Sequence, residues 1–309
     1  MFKTPILFNI FNRPDCTQIV FNEIKKQKPE YLFVHADGPR PDVREDLVKC
    51  EESRKIILDQ TDWDCELKTL FSEVNLGCGK GPVEGITWFF NHVDEGIVLE
   101  DDMLPDPIFF NYCECLLERY RNNDNIYIIS GGNIFKSYSK EDSYYFSRLN
   151  SMWGWATWSR VWKKYEYDVI CNKTELAKNL KSLHLKRKYV KLITDFYSKL
   201  LTIENKSYWD FQVDYMTFMN KAINIMPNSH LVGNIGFTKD GTHTKTYNPM
   251  CETDINYSRF SPLMHPKQII IAEACDKITL KKTYYISLIR MIRGKIKRAM
   301  KKVFNKKTK

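Results

Sequence analysis

Residues 96–107 read GIVLEDDMLPDP: one glycine and three aliphatic residues run straight into three adjacent acids, and prolines at 105 and 107 fix the exit. So short an apolar run, bounded by charge, is the pattern of a buried strand that delivers its last residues to the rim of a sheet. Three neighbouring carboxylates repel one another unless something compensates them. Mg²⁺ or Mn²⁺ does so, because hard divalent cations select carboxylate and phosphate oxygens. The competing reading is an acidic surface loop; the strand before it and the prolines after it favour a rim site at Glu100, Asp101 and Asp102.

Working outward, the same alternation recurs. Residues 5–11 (PILFNIF) form an apolar strand cut off by Asn12-Arg13-Pro14, with a helix expected through Lys26. A second strand is expected over 31–35, ended by Ala36-Asp37-Gly38-Pro39, then a charged helix over 42–60 and a third strand over 67–71. The loop NLGCGKG (75–81) leads to a helix expected from Pro82 to His92, and a fifth strand is expected over 126–130. Strands alternating with helices predict right-handed crossovers and an α/β fold with a Rossmann-like, doubly wound, mostly parallel sheet. Ligands of such sheets bind at the carboxyl ends of the strands, where strand order reverses. Asn12 and Arg13, Asp37, and Glu100 to Asp102 would then share one rim. Lys80, at a helix start, is a candidate phosphate contact.

Past residue 131 the pattern is irregular. Residues 152–158 (MWGWATW) are aromatic and glycine-broken, 174–205 read as a polar helical insertion or lid, a helix starts at 208–214, and 223–226 is a late strand. The expected division is a domain over 1–276, with a nucleotide-binding part to about 130 and an acceptor part after it, followed by a tail over 277–309.

Composition bounds the class. Hydrophobic residues at 43% and charged residues at 28% are those of a globular protein. The net charge of +9 is local: thirteen of the 47 basic residues lie in 277–309 with no acid among them, leaving 34 against 38 acids elsewhere. A nucleic-acid footprint over the whole molecule is therefore not expected. The tail places apolar residues at 285, 288, 289, 292, 296, 300, 303 and 304, an amphipathic basic helix suited to an anionic membrane surface. Nine cysteines without a Cys-x-x-Cys pair give no zinc pattern. With no secretory signal and no long apolar run, a cytoplasmic protein, peripheral on the inner face of the membrane, is expected.

The stretch over 75–120, NLGCGKGPVEGITWFFNHVDEGIVLEDDMLPDPIFFNYCECLLERY, resembles the donor-site core of GT-A glycosyltransferases, in particular the N-acetylglucosaminyltransferase I-like family and its bacterial relatives. The resemblance extends through ILFNIFNRP (6–14), VHADGPR (34–40), MWGWATWSRVW (152–162), YWDFQ (208–212) and GTHT (241–244), all in the family's order. It implies Asp102 as ligand of the metal on the donor diphosphate, Asp101 facing the nucleotide, and Glu100 supporting the sugar pocket. It further implies Asp37 against a uracil edge, Arg13 on the diphosphate or the nucleotide, and Gly154 and Trp155 lining the sugar and acceptor pocket. It also implies a late histidine, here His243, that completes the metal shell or touches the diphosphate. The family's base lies in a Trp-Asp segment. Here that offers Asp210 first and Asp214 second, without the two adjacent acids of the eukaryotic members.

The function so implied is inverting, metal-dependent transfer of a sugar from a nucleotide sugar, UDP-linked with UDP-GlcNAc a candidate, to a glycan or lipid-linked acceptor in surface polysaccharide synthesis. Two alternatives stand beside it. A sugar-phosphate nucleotidyltransferase would carry a Gly-rich basic signature after the first strand, which NIFNRPDC (9–16) lacks. A membrane-associated adaptor could keep the transferase fold without its chemistry.

Overall fold

The computed structural model describes residues 1–133, 141–202, 208–236, 255 and 257–281. The first half is the expected alternation: β1 (Ile6–Ile10), α1 (Pro14–Gln27), β2 (Tyr31–Ala36), α2 (Arg44–Gln60), β3 (Glu66–Phe71), α3 (Gly77–Phe90) and β4 (Glu95–Glu100). All five residues of β1 are buried, as in a parallel strand covered on both faces. Pro14 opens α1, where its missing N–H is lost without penalty and its fixed φ suits a helix. The helix α3 starts at Gly77, ahead of the expected Pro82, which lies inside it. Asp37 explains the early start, because its carboxylate accepts the N–H groups of Leu76 and Gly77 and so caps the extra turn.

The chain continues through β5 (Met103–Pro105), α4 (Pro107–Tyr120), β6 (Ile126–Ser130), β7 (Tyr144–Ser147), β8 (Trp155–Trp158), α5 (Ser159–Trp162), α6 (Lys173–Ser182), α7 (Arg187–Leu200), α8 (Asp210–Met219), β9 (Ile223–Pro227), β10 (Val232–Asn234) and α9 (Glu273–Leu280). Eight strands form one sheet in the order β3-β2-β1-β4-β8-β6-β9-β7. The sheet is Rossmann-like but mixed: β8 runs antiparallel between β4 and β6, and β7 antiparallel beside β9. This corrects the mostly parallel expectation. All four residues of β8 are buried, so the strand shows no period-two alternation that would separate it from an aromatic loop.

Strand order reverses between β1 and β4. The chain winds outward from β1 to β2 and β3, then returns to place β4 on the other side of β1. The pair β5–β10, with Met103 opposite Asn234, lies directly after β4. The helices α6 and α7 join α8 around a second core that includes Leu176, Leu180, Ile193, Tyr197, Tyr215 and Phe218. The stretch read as a polar insertion is thus a packed helical layer. Residues 282–309, most of the basic tail, lie outside the described residues; its first residues, from Lys277, close α9. Among the described residues no helix is long and apolar enough to cross a membrane.

Candidate functional site

At the reversal, β1 releases Arg13 and β4 releases Glu100, Asp101 and Asp102 on the same rim. The Arg13 guanidinium spans two carboxylates: Nη1 donates to Asp102 Oδ2 at 2.9 Å and Nη2 to Asp101 Oδ1. Asp101 Oδ2 accepts the Phe11 N–H at 3.1 Å, so this carboxylate, 2% exposed, is pinned to the end of β1. Burial works against the Arg13 charge, but Asp101 and Asp102 outweigh it and raise the pKa above the ordinary arginine value.

The acids respond to the same field. Burial pushes Asp101 up to about 6, opposed by Arg13 and reinforced by Asp102. It pushes Glu100 up to about 8, with Asp102 and Asp101 adding and Arg13 opposing. The field of Asp210, the first residue of α8, also reaches Glu100, Cys78 and Tyr165. Asp214, one turn on, instead accepts from the Tyr197 hydroxyl at 3.1 Å, in the layer where α7 meets α8.

Whether a divalent cation fits is decided at Asp102. Its Oδ1 is buried and has no hydrogen-bond partner, a lone pair facing inward with nothing to satisfy it. Among the described residues no three His, Cys, Asp or Glu side chains converge as a ready-made set. Mg²⁺ commonly needs no such set, since it is held by one or two carboxylates, waters and the phosphates of its substrate. The residues present fit a cation of that kind, with Asp102 as the protein ligand.

The other expected residues divide. Asp37 is buried, and each of its oxygens accepts twice: Oδ1 from the N–H groups of Gly38 and Leu76 at 2.8 Å, Oδ2 from Asn75 Nδ2 and the Gly77 N–H at 3.0 Å. These contacts tie β2 to α3 and leave no open acceptor for a base edge. Asn12 Nδ2 donates to Asp46 Oδ1 at 2.6 Å, and Asp46 is also gripped by Arg40, so Asn12 anchors the exit of β1 to α2. Lys80 is exposed on the first turns of α3. His243 lies outside the described residues.

Trp155 is not a stacking platform. It is 1% exposed in β8, with its ring centroid 6.2 Å from that of Trp162 and 6.1 Å from that of Trp209. Gly154 has φ +58° and its carbonyl accepts the Gly131 N–H at 2.7 Å; a side chain there would strike Val232. This corrects the sugar-lining expectation: the Gly-Trp element closes the core between β8 and β10.

Two features escaped sequence reading. Gly236 follows β10, and a Cβ there would come within 2.3 Å of Asp102 Oδ2 and 2.8 Å of Arg13 Nη1. The Ile235 N–H donates to the Asp102 carbonyl at 2.9 Å, and the Gly236 N–H to Asn234 Oδ1 at 2.8 Å, which fixes this approach. Asn9 is the second. It sits in register between His35 and Glu100, 6% exposed, with neither amide atom hydrogen-bonded, beneath Gly85 of α3. A polar residue in the apolar run ILFNI was its only signal.

No family model matches the chain, and no curated protein does. Among solved structures it is similar to a UDP-glucose pyrophosphorylase complexed with UDP-glucose, at 10% identity over 52% of this chain and 78% of that one, TM-score 0.32. It is also similar to a mannose-1-phosphate geranyltransferase from Thermus thermophilus, at 10% identity over 74% and 75% of the two chains, TM-score 0.35. A third is the 4-diphosphocytidyl-2C-methyl-D-erythritolsynthase of Anaerococcus prevotii, at 9% identity over 69% and 98%, TM-score 0.30.

None of these three is named as adding a sugar to a glycan. The expected hexosyl- or N-acetylhexosaminyltransferase of membrane polysaccharide synthesis is corrected on that ground.

Proposed function

We propose that the chain is a cation-assisted sugar-phosphate nucleotidyltransferase, binding a nucleoside triphosphate and its nucleotide-sugar product in the crevice between β1 and β4. One observation carries this reading: at the point where strand order reverses, Arg13 bridges Asp101 and Asp102 while Asp102 Oδ1 stays buried and unpaired. A cation and a guanidinium beside one another are what a polyphosphate requires.

In the proposed reaction a phosphate oxygen of a sugar 1-phosphate attacks the α-phosphorus of the triphosphate. The bond from that phosphorus to the bridging oxygen breaks, and pyrophosphate leaves with the electron pair. Such transfers ask little covalent chemistry of the protein and depend on positioning and charge neutralisation. No acceptor base is needed, which suits a site whose second candidate base faces elsewhere. A Mg²⁺ or Mn²⁺ held by Asp102 and the phosphates would supply Lewis-acid withdrawal of charge. Arg13 would hold phosphate oxygens, and Asp101 would orient Arg13 through the contact locked by the Phe11 N–H. No Gly-rich loop follows β1. The N-terminus of α1, which no side chain caps, and Arg13 itself would take its place against the anion.

The test is direct. The protein is incubated with UTP, a panel of sugar 1-phosphates and Mn²⁺ or Mg²⁺, and pyrophosphate release is measured, with Asp102→Asn as the control. Release with at least one sugar phosphate, lost in the variant, supports the reading. No release, together with no thermal stabilisation by UTP or any UDP-sugar in the presence of metal, rules it out.

A further inference from the structure

We propose that Arg13 is a resident cation that shares Asp102 with the metal site and holds a divalent cation off that carboxylate until a nucleotide draws the guanidinium away, so that metal and nucleotide bind as a coupled pair. This rests on the nucleotide-site reading above and concerns how that site loads.

The two ion pairs of Arg13 are unequal. The Asp101 carboxylate is 3% exposed at its side chain and pinned by the Phe11 N–H, whereas Asp102 is 15% exposed and uses only Oδ2. Asp101 is therefore a fixed pivot, and Asp102 is the partner that can exchange. Asp102 also has little room to turn away from the guanidinium, because Gly236 lies against both groups, close enough that a single added carbon would overlap Oδ2. A divalent cation reaching Asp102 thus meets a positive charge already seated at 2.9 Å from one of its oxygens.

Two cations on one carboxylate repel, so the free protein binds metal poorly. A diphosphate resolves the conflict, because its oxygens offer the guanidinium a bidentate, charge-assisted partner as good as a carboxylate. Arg13 then pivots on Asp101 toward the phosphate, and Asp102 is left to the metal. By linkage, whatever factor nucleotide adds to metal affinity, metal adds to nucleotide affinity.

Mn²⁺ binding is measured by calorimetry or by the spin-resonance signal of free Mn²⁺, with and without UDP, in wild type, Arg13→Gln and Arg13→Lys. Wild type is expected to bind Mn²⁺ at least tenfold more tightly with UDP than without. Arg13→Gln is expected to bind Mn²⁺ at least tenfold more tightly than wild type without nucleotide, and to gain less than threefold from UDP. Arg13→Lys, a single point charge that cannot span both carboxylates, should fall between, and it carries the test if the glutamine variant does not fold. Arg40→Gln removes another positive charge from the end of β1, where Arg40 lies 5.7 Å from the Phe11 ring centroid, and should change Mn²⁺ affinity less than twofold. If Arg13→Gln binds Mn²⁺ no more tightly than wild type, or if Arg40→Gln tightens it equally, Arg13 is not a resident cation. If wild type binds neither Mn²⁺ nor UDP in any combination, the nucleotide-site reading itself fails.

Discussion

Gly236, just past β10, lies against Asp102, and a methyl group at 236 would lie 2.3 Å from Asp102 Oδ2. Arg13 Nη1 and Asp102 Oδ2 are side-chain ends, but Asp102 Cβ, also 2.8 Å away, is fixed to the backbone, so the loop after β10 must shift slightly to admit the methyl group. Gly236→Ala is therefore expected to fold, with a loss of about 1–2 kcal/mol from overpacking. The displaced carboxylate should weaken metal-dependent nucleotide binding at least tenfold. Urea unfolding and UDP titration with Mn²⁺ check the two parts; unchanged ligand affinity would mean that Gly236 has no part in shaping the site.

The acids beside it give the ligand-free protein a definite pH dependence. Burial raises Glu100 from 4.5 to about 8 and Asp101 from 3.8 to about 6. Between those limits the unfolded chain gives up protons that the folded chain keeps. The stabilisation is therefore complete below about pH 4 and is lost as pH rises through the folded values. Below 6.5, His35 works the other way, since burial holds its ring neutral. The clean interval is pH 6.5–8, where stability should fall by up to about 1.4 kcal/mol per pH unit. Thermal melts across that interval test this, and Glu100→Gln should flatten the slope. A wild-type melting temperature that rises from pH 6.5 to 8 would contradict it.

What the sequence disclosed follows from how strands are buried. The strands β1, β2, β4 and β6 are covered on both faces and so appear as continuous apolar runs, and their ends placed Arg13, Asp37 and Glu100 to Asp102 on one rim. The strands β7 and β8 are equally buried, but they are rich in aromatic residues, β8 directly follows Gly154 with its positive φ, and their runs of four are too short to declare a period. Residue type also could not distinguish a polar side chain that faces a ligand from one that ties two elements together. Asn12 and Asp37 sit at strand ends as a binding residue would, yet Asp46 and the start of α3 hold them. Gly236 was invisible because its role depends on a neighbour 134 positions away in the chain.

Trp155 offers a sharp contrast between core and pocket. Its contacts are Trp162 and Trp209, and it is 1% exposed. Trp155→Phe should lower the melting temperature by several degrees while leaving UDP affinity within twofold. Trp155→Ala should cost about 3–5 kcal/mol, the range for removing a large buried ring. Were Trp155→Phe to lose nucleotide-sugar affinity at an unchanged melting temperature, the ring would be a binding surface after all.

Asp37 can be tested in the same spirit, because a structural tie and a base contact respond differently to one change of atom. Asparagine keeps the shape and one carbonyl oxygen, but it sets an NH₂ group against two of the four donors that now converge on the carboxylate. Two hydrogen bonds are lost and two donors are left facing a third, beside a helix N-terminus that favours negative charge. Asp37→Asn is expected to destabilise by about 2–4 kcal/mol. Amide hydrogen exchange should accelerate first at Leu76 and Gly77, where α3 begins. Selectivity between UTP and CTP should not change, since the carboxylate has no acceptor left for a base edge. A variant of unchanged stability that reverses that selectivity would instead make Asp37 a base-reading residue.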